Sequence, residues 1–247
     1  MSRTVLVIGI GAGDPEHLTL QAAAAIGRAE VFFEIDKGVP DLAALRDTLL
    51  ARHARPDHRV VTAPEIPRDR DPADYPGEVA AWQTARADAY AAMIEAELPH
   101  GGVGAFLVWG DPALYDGTLR LLPQVEVVSI PGISSVQALA AAHGLILNRV
   151  GEPVLITTGR RLAQAVASGA ENIVVMLDGD LACGALGSGW DIYWGAYLGS
   201  PDQALVSGRL DEVIEQIGIA RANLKQRKGW IMDTYLLRRA SSVAATT

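Results

Sequence analysis

Between Val5 and Ala142, an apolar run of strand length stops three times at a glycine-containing turn, and a helix-like stretch follows. The stretches are VLVIGIGAGDPEHLTL (Val5–Leu20), FLVWGDPALYDGTLRLL (Phe106–Leu122) and VVSIPGISSVQALAAA (Val127–Ala142). Runs that stay apolar instead of alternating suit the strands of a parallel sheet, which are buried on both faces. In such a sheet the turns that follow the strands lie at the carboxyl ends, where open α/β sheets bind ligands. Glycine lets backbones approach closely, and a plain turn rarely needs it this often.

The wider pattern agrees. Val5–Ile10, Val31–Ile35, Arg59–Thr62, Gly104–Trp109 and Val125–Ser129 read as strands, with helices predicted over Leu18–Ile26, Leu42–Arg52 and Val79–Leu98. Alternation of this kind argues for βα units. After Ser129 the predicted strands shorten, at Pro153–Thr157, Asn172–Met176, Asp191–Tyr197 and Ala204–Ser207. A helix at Leu210–Ile217 and a late strand pair at Trp230–Met232 and Tyr235–Leu237 follow. Close spacing implies hairpins and a mixed sheet. The expected fold class is α/β, as two α/β domains: residues 1–124 with a mostly parallel sheet and residues 131–247 with a mixed sheet, linked at about 125–130. Residues 63–77, rich in proline and charge, read as an exposed loop, and the tail ASSVAATT as frayed.

Bulk properties narrow the function. A formal net charge of −8 over 247 residues gives no general attraction to nucleic acid. The single cysteine, Cys183, excludes a disulfide framework and a cysteine zinc cluster, and fits a reducing, cytoplasmic setting. His53, His58, His100 and His143 lack metal-ligand spacing, so no metal is expected. Val127–Asn148 is free of charge and long enough to span a bilayer, but Pro131, Gly132, Ser134, Ser135, Gln137 and His143 make it a strand, loop and helix. No membrane association is expected.

The first loop runs Gly9, Gly11, Gly13, and then Asp14 stands where a dinucleotide fingerprint has glycine. Asp14 and Asp111 suit helix N-caps, with Pro15 and Pro112 in the first turn, whatever the chain does. A pyrophosphate drawn to a helix N-terminus would meet a carboxylate there and be repelled. A ligand with an ammonium group reverses that preference, which favours an amino-acid-bearing cofactor such as S-adenosylmethionine. An NAD(P)-dependent oxidoreductase stays open as an alternative, because Glu34 and Asp36 follow GIGAG by about 20 residues, as in the Rossmann pattern.

On these residues the chain resembles the tetrapyrrole (precorrin/corrin) methyltransferases over nearly its whole length. GIGAGDPEHLTL corresponds to their first loop, with Ala12 where most members have proline; WGDPALY and IPGISSVQALAA correspond to the second and third. The resemblance implies two α/β domains, a homodimer, and S-adenosylmethionine, spent as S-adenosylhomocysteine, in an active site in the cleft between the domains. The N-terminal domain would form the substrate side of that cleft and the C-terminal domain the adenine side. It also implies a small-molecule tetrapyrrole substrate. FFEIDKG, FLVWGDPALYDGTLR, EPVLITTGRR and IYWGAYLGSPDQALVSGRL are closer to members that methylate precorrin-5 at C-1 and release acetic acid to give precorrin-6A. Methyltransferases of this fold that act on another corrin intermediate, ribosomal RNA or protein are the remaining alternatives.

Carried over by position, the resemblance assigns the methionine part of the cofactor to Trp109, Gly110, Asp111, Leu114 and Tyr115, then Ser134 and Ser135. It assigns the adenine to Leu177, Asp178, Tyr197 and Leu198, with Arg209 in the cofactor set where many members have threonine. Gly11, Ala12, Gly13 and Asp14 fall to the substrate. Asp36, at the end of the second strand, is the candidate for assisting acetate release, with Glu34 and Tyr115 behind it. An acidic protein that takes a polycarboxylate must concentrate cations locally. Lys37, Arg160 and Arg161, each just after a strand, are the candidates; Arg68 and Arg70 read first as solvated charges and second as lid contacts.

Overall fold

Leu6 and Ile8 lie on one face of the first strand and Val5 and Val7 on the other, and all four are buried. That two-sided burial is what an unbroken apolar run requires. The computed structural model describes residues 2–36, 38–67, 69, 74–122 and 125–240. Lys37, Arg68, Arg70 and all of the tail after Ala240 lie outside the described residues. The chain divides between Ser134 and Ser135 into two compact units.

The first unit holds β1 (Thr4–Gly9), β2 (Val31–Asp36), β3 (Arg59–Pro64), β4 (Val103–Val108) and β5 (Glu126–Ile130), with α1 (Leu20–Ile26), α2 (Pro40–His53) and α3 (Tyr75–Glu97) between them. The sheet order is β3-β2-β4-β1-β5, and every pairing is parallel. One face packs Leu6, Ile8 and Phe32 against Ala22 and Ile26 of α1 and Leu45 and Leu49 of α2. The other packs Val5, Val7, Phe33 and Phe106 against Tyr90, Ile94 and Leu98. The stretch expected as a link, 125–130, is instead mostly β5, paired along β1 from Thr4 to Ile8. Its apolar run is needed to complete the sheet.

The second unit holds α4 (Ser135–His143), β6 (Leu155–Thr158), α5 (Leu162–Ala167), β7 (Asn172–Met176), β8 (Trp190–Ala196), β9 (Ala204–Arg209), α6 (Leu210–Lys228) and β10 (Asp233–Arg239). Its order is β6-β7-β10-β8-β9, with β6 and β7 parallel and the other pairs antiparallel, the expected mixed sheet. Two expectations change. The helix predicted over Leu210–Ile217 does not stop before Gly218; it runs to Lys228 and ends at Gly229, whose φ is 79°. Burial of Leu210, Ile217 and Leu224 along one stripe outweighs the cost of about 1 kcal/mol for an interior glycine. The predicted late strand pair is one strand, β10, paired continuously with β8 from Asp233 to Arg239.

Candidate active site

In the sheet order, β4, β1 and β5 are neighbours and run the same way, so their three turns lie side by side at the carboxyl edge. Gly110 donates its N–H to the Gly11 carbonyl at 2.8 Å, and Gly11 returns one to Gly110 at 3.3 Å. Gly110 holds φ 71°, and a Cβ on Gly132 would fall 2.8 Å from the Gly9 Cα. Such contact leaves no room for side chains.

Asp111 joins two of the turns. Its Oδ1 accepts from Ala113 N at 2.8 Å and its Oδ2 from Gly132 N at 2.9 Å. The expected helix start is absent there: a turn follows Asp111, and the next helical element is a 3-10 turn at Thr118–Leu121. Asp14 caps only the 3-10 turn Pro15–His17, accepting from Glu16 N at 2.8 Å, while α1 starts later under its own cap, Thr19. The β1 turn therefore lacks the α-helix N-terminus that a dinucleotide pyrophosphate uses. Trp109 donates its Nε1–H to the Ala12 carbonyl at 2.6 Å, tying the first turn to the second.

In the second unit β6, β7 and β8 share one direction. Their carboxyl ends carry Arg160 and Arg161, then Leu177 and Asp178, then Tyr197 and Leu198. Among the described residues, the non-glycine residues in the left-handed region are Tyr115 (φ 56°), Leu177 (52°), Leu181 (55°) and Tyr197 (48°). Each such residue costs on the order of 1–3 kcal/mol, and strain of this kind collects at functional loops. Tyr115, Leu177 and Tyr197 are all residues to which the resemblance assigns the cofactor.

The family described as Tetrapyrrole (Corrin/Porphyrin) Methylases matches residues 4–214. The chain belongs to this family. A precorrin-6A synthase (deacetylating) from a Sinorhizobium species is 44% identical over 97% of this chain and 96% of its own. A precorrin-2 C(20)-methyltransferase, also from Sinorhizobium, is 31% identical over 64% of each chain. Among solved structures, a cobalamin-synthesis-related protein from Corynebacterium diphtheriae superposes with a TM-score of 0.86 at 39% identity, covering 98% of this chain and 100% of that one. A cobalt precorrin-4 methyltransferase superposes at 0.65 with 18% identity, over 96% and 94% of the two chains, a likeness of fold.

In this methylase the carboxylate of Asp178 is turned inward. Asp178 is buried; its Oδ2 accepts from Ala182 N at 2.8 Å and from the Tyr235 hydroxyl at 2.5 Å, and its Oδ1 from Asp180 N at 3.2 Å. A Cβ on Gly159 would overlap that carboxylate, which accounts for the glycine in TTGRR. The turn therefore offers a ligand its backbone and the exposed Leu177 side chain. Tyr197 behaves alike: its ring is buried and its hydroxyl donates to the Trp230 carbonyl at 2.7 Å.

The structure does not bring Arg209 to this edge. Arg209 ends β9 opposite Asp191, at the start of β8, whereas Tyr197 follows the other end of β8. Six residue steps of about 3.4 Å separate Asp191 from Tyr197, and Arg209 stands near Asp191 and Asp211, at 3.8 and 3.9 Å. Arg160 and Arg161 are exposed in the 3-10 turn after β6. Asp36 is exposed at the end of β2, with its Oδ1 accepting from Gly38 N at 2.8 Å. Leu114 donates its N–H to the Asp111 carbonyl at 3.2 Å, Ser134 is buried, and Ser135 opens α4.

One group escapes the sequence reading, and Glu34, which that reading placed behind Asp36, has an unusual setting. Arg221 donates Nε–H to Asp233 Oδ2 at 2.8 Å and Nη2–H to the Asp178 carbonyl at 2.5 Å, fixing the turn that carries Leu177. Its signal is present: an arginine one turn after Ile217 and one before Leu224, on the buried stripe of α6. Glu34 is half-buried, and its Oε1 has no hydrogen-bond partner among the described residues. Burial raises its carboxyl pKa above the ordinary value, against the pull of Arg46, which itself donates to the Leu107 carbonyl at 2.9 and 3.2 Å. Among the described residues no acidic, histidine or cysteine cluster could hold a metal, and no helix is long and apolar enough to cross a membrane.

Proposed function

We propose that this chain is an S-adenosylmethionine-dependent C-methyltransferase of cobalamin biosynthesis. It methylates precorrin-5 at C-1, and acetic acid leaves to give precorrin-6A. The observation that carries this reading is end-to-end identity of 44% with a protein named for that activity.

S-adenosylmethionine, when bound, supplies an electrophilic methyl on a sulfonium. The residues present suit it: Gly110 and Gly132 bring backbone where a Cβ would obstruct, and Asp111 keeps lone pairs beyond those used by Ala113 and Gly132. In this reading Trp109, Leu114, Ser134 and Ser135 complete the methionine side, and the backbones of Leu177, Asp178, Tyr197 and Leu198 border the adenine. The nucleophile is an electron-rich ring carbon of the substrate, so the protein's main work is to align it and exclude water. Alignment alone is worth on the order of 7–11 kcal/mol in favourable systems. Acetate release adds water to a carbonyl and needs a proton acceptor. Asp36 takes that role, with Tyr115 beside the macrocycle. Gly11–Asp14, Lys37, Arg160 and Arg161 are assigned to the substrate, and the working unit is a homodimer.

Incubation with precorrin-5 and methyl-labelled S-adenosylmethionine tests this reading. Label in a product of precorrin-6A mass with an equivalent of acetate supports it. Methylation of another corrin intermediate, with none of precorrin-5, refutes the substrate assignment. Sedimentation at micromolar concentration tests the homodimer.

A further inference from the structure

The end of β3, helix α3 and the turn after β4 enclose a pocket of about 520 Å³ within the first unit, lined by Glu65, Trp82, Arg86, Tyr115, Asp116 and Arg120 among others. Arg86 is held in place. Its guanidinium lies 4.5 Å from the centroid of the Trp82 ring and donates to the Tyr90 hydroxyl at 3.2 Å. Trp82 is itself anchored by its Nε1–H to the Ile66 carbonyl at 2.9 Å. A guanidinium stacked on an aromatic face keeps its in-plane N–H donors free for a planar acceptor. Arg120, in the 3-10 turn at Thr118–Leu121, is exposed, and among the described residues no ion pair engages it. Tyr115 brings the strained Gly-Asp-Pro turn to the same pocket.

We propose that Arg86 and Arg120 form a subsite for one carboxylate arm on the periphery of the macrocycle, an inference that rests on the proposed tetrapyrrole substrate. The charge balance favours a carboxylate over a phosphate. Glu65 and Asp116 share the pocket with the two arginines and cancel their charge, so a single carboxylate can pair with the guanidinium groups while the second charge of a phosphate dianion would face two carboxylates. Asp116 is partly engaged, its Oδ1 accepting from Thr118 N at 2.7 Å. The aromatic walls, Trp82 and Tyr115, suit the apolar carbons next to such an arm.

The test is steady-state kinetics of the full-length protein with precorrin-5, beside S-adenosylhomocysteine titration and thermal melting, for wild type, Arg86→Gln, Arg86→Lys and Arg120→Gln. The expected result is a KM for precorrin-5 raised about tenfold in Arg86→Gln, the size of a charge-assisted hydrogen bond. Arg120→Gln, being exposed, should raise it roughly threefold, and Arg86→Lys should fall between wild type and Arg86→Gln. S-adenosylhomocysteine affinity and kcat should hold. If wild type turns precorrin-5 over and both glutamine variants keep its KM within twofold, the subsite is refuted while the proposed function stands. Parallel loss of S-adenosylhomocysteine affinity in both would make the pocket a structural support and refute the subsite. Competition by inorganic phosphate in wild type but not in the variants would assign the pocket to phosphate instead. Absence of any wild-type turnover refutes the function and the subsite with it.

Discussion

The backbones of Gly9 and Gly132 touch: a Cβ on Gly9 would lie 2.7 Å from Gly132 N, and one on Gly132 would lie 2.8 Å from Gly9 Cα. Gly132→Ala must push the first and third turns apart. The expected cost is roughly 1–3 kcal/mol in urea unfolding, with S-adenosylhomocysteine affinity reduced at least tenfold. Gly187 is the control, because a Cβ added there would meet nothing within 4 Å; Gly187→Ala should stay within about 0.5 kcal/mol.

Asp111 accepts one backbone N–H on each carboxylate oxygen. Asn has one acceptor oxygen and would point its NH2 group at the other donor. Asp111→Asn should therefore destabilise by about 1–3 kcal/mol and weaken S-adenosylhomocysteine binding in calorimetry. Unchanged binding would remove Asp111 from the cofactor site.

Arg221 and Asp233 form an ion pair whose side chains are 12% and 3% exposed. Arg221→Met strands a buried carboxylate, at about 3–5 kcal/mol at neutral pH. Burial already raises the Asp233 pKa in the folded protein, and losing Arg221 raises it further. A folded-state pKa above the unfolded one stabilises at low pH, and that stability is lost as pH rises through the folded value. The variant should thus recover part of its deficit between pH 7 and 5. Urea midpoints at the two pH values check this; an equal deficit at both would contradict it.

Cys183 is fully buried, and its thiol pKa is pushed up to about 12, mainly by burial. A thiolate-selective reagent at pH 8 should leave the native protein unlabelled and label it once in denaturant. Rapid labelling of the native state would mean that the second unit opens readily.

Asp36→Asn should keep S-adenosylhomocysteine affinity and lose acetate release, measured as labelled product and free acetate. Wild-type turnover in that variant would exclude Asp36 from the reaction.

Much of the fold is legible in the chain alone. Unbroken apolar runs predict strands buried on both faces, and β1 and β4 appear within a residue of the predicted Val5–Ile10 and Gly104–Trp109. The three glycine turns are visible because close backbone approach needs glycine whatever the partner. What stays hidden depends on which strands pair and in what register. Arg209 and Tyr197 sit 12 positions apart on one hairpin, yet the pairing of Asp191 with Arg209 sends them to opposite edges. The fate of Asp178 is settled by Tyr235, 57 positions away, and the pocket at Arg86 exists because α3 lies beside the turn holding Tyr115. Covalent spacing sets the period of a strand or helix and the chemistry of a turn, so those are written locally. Distant partners are chosen by packing over the whole chain, which no local stretch encodes.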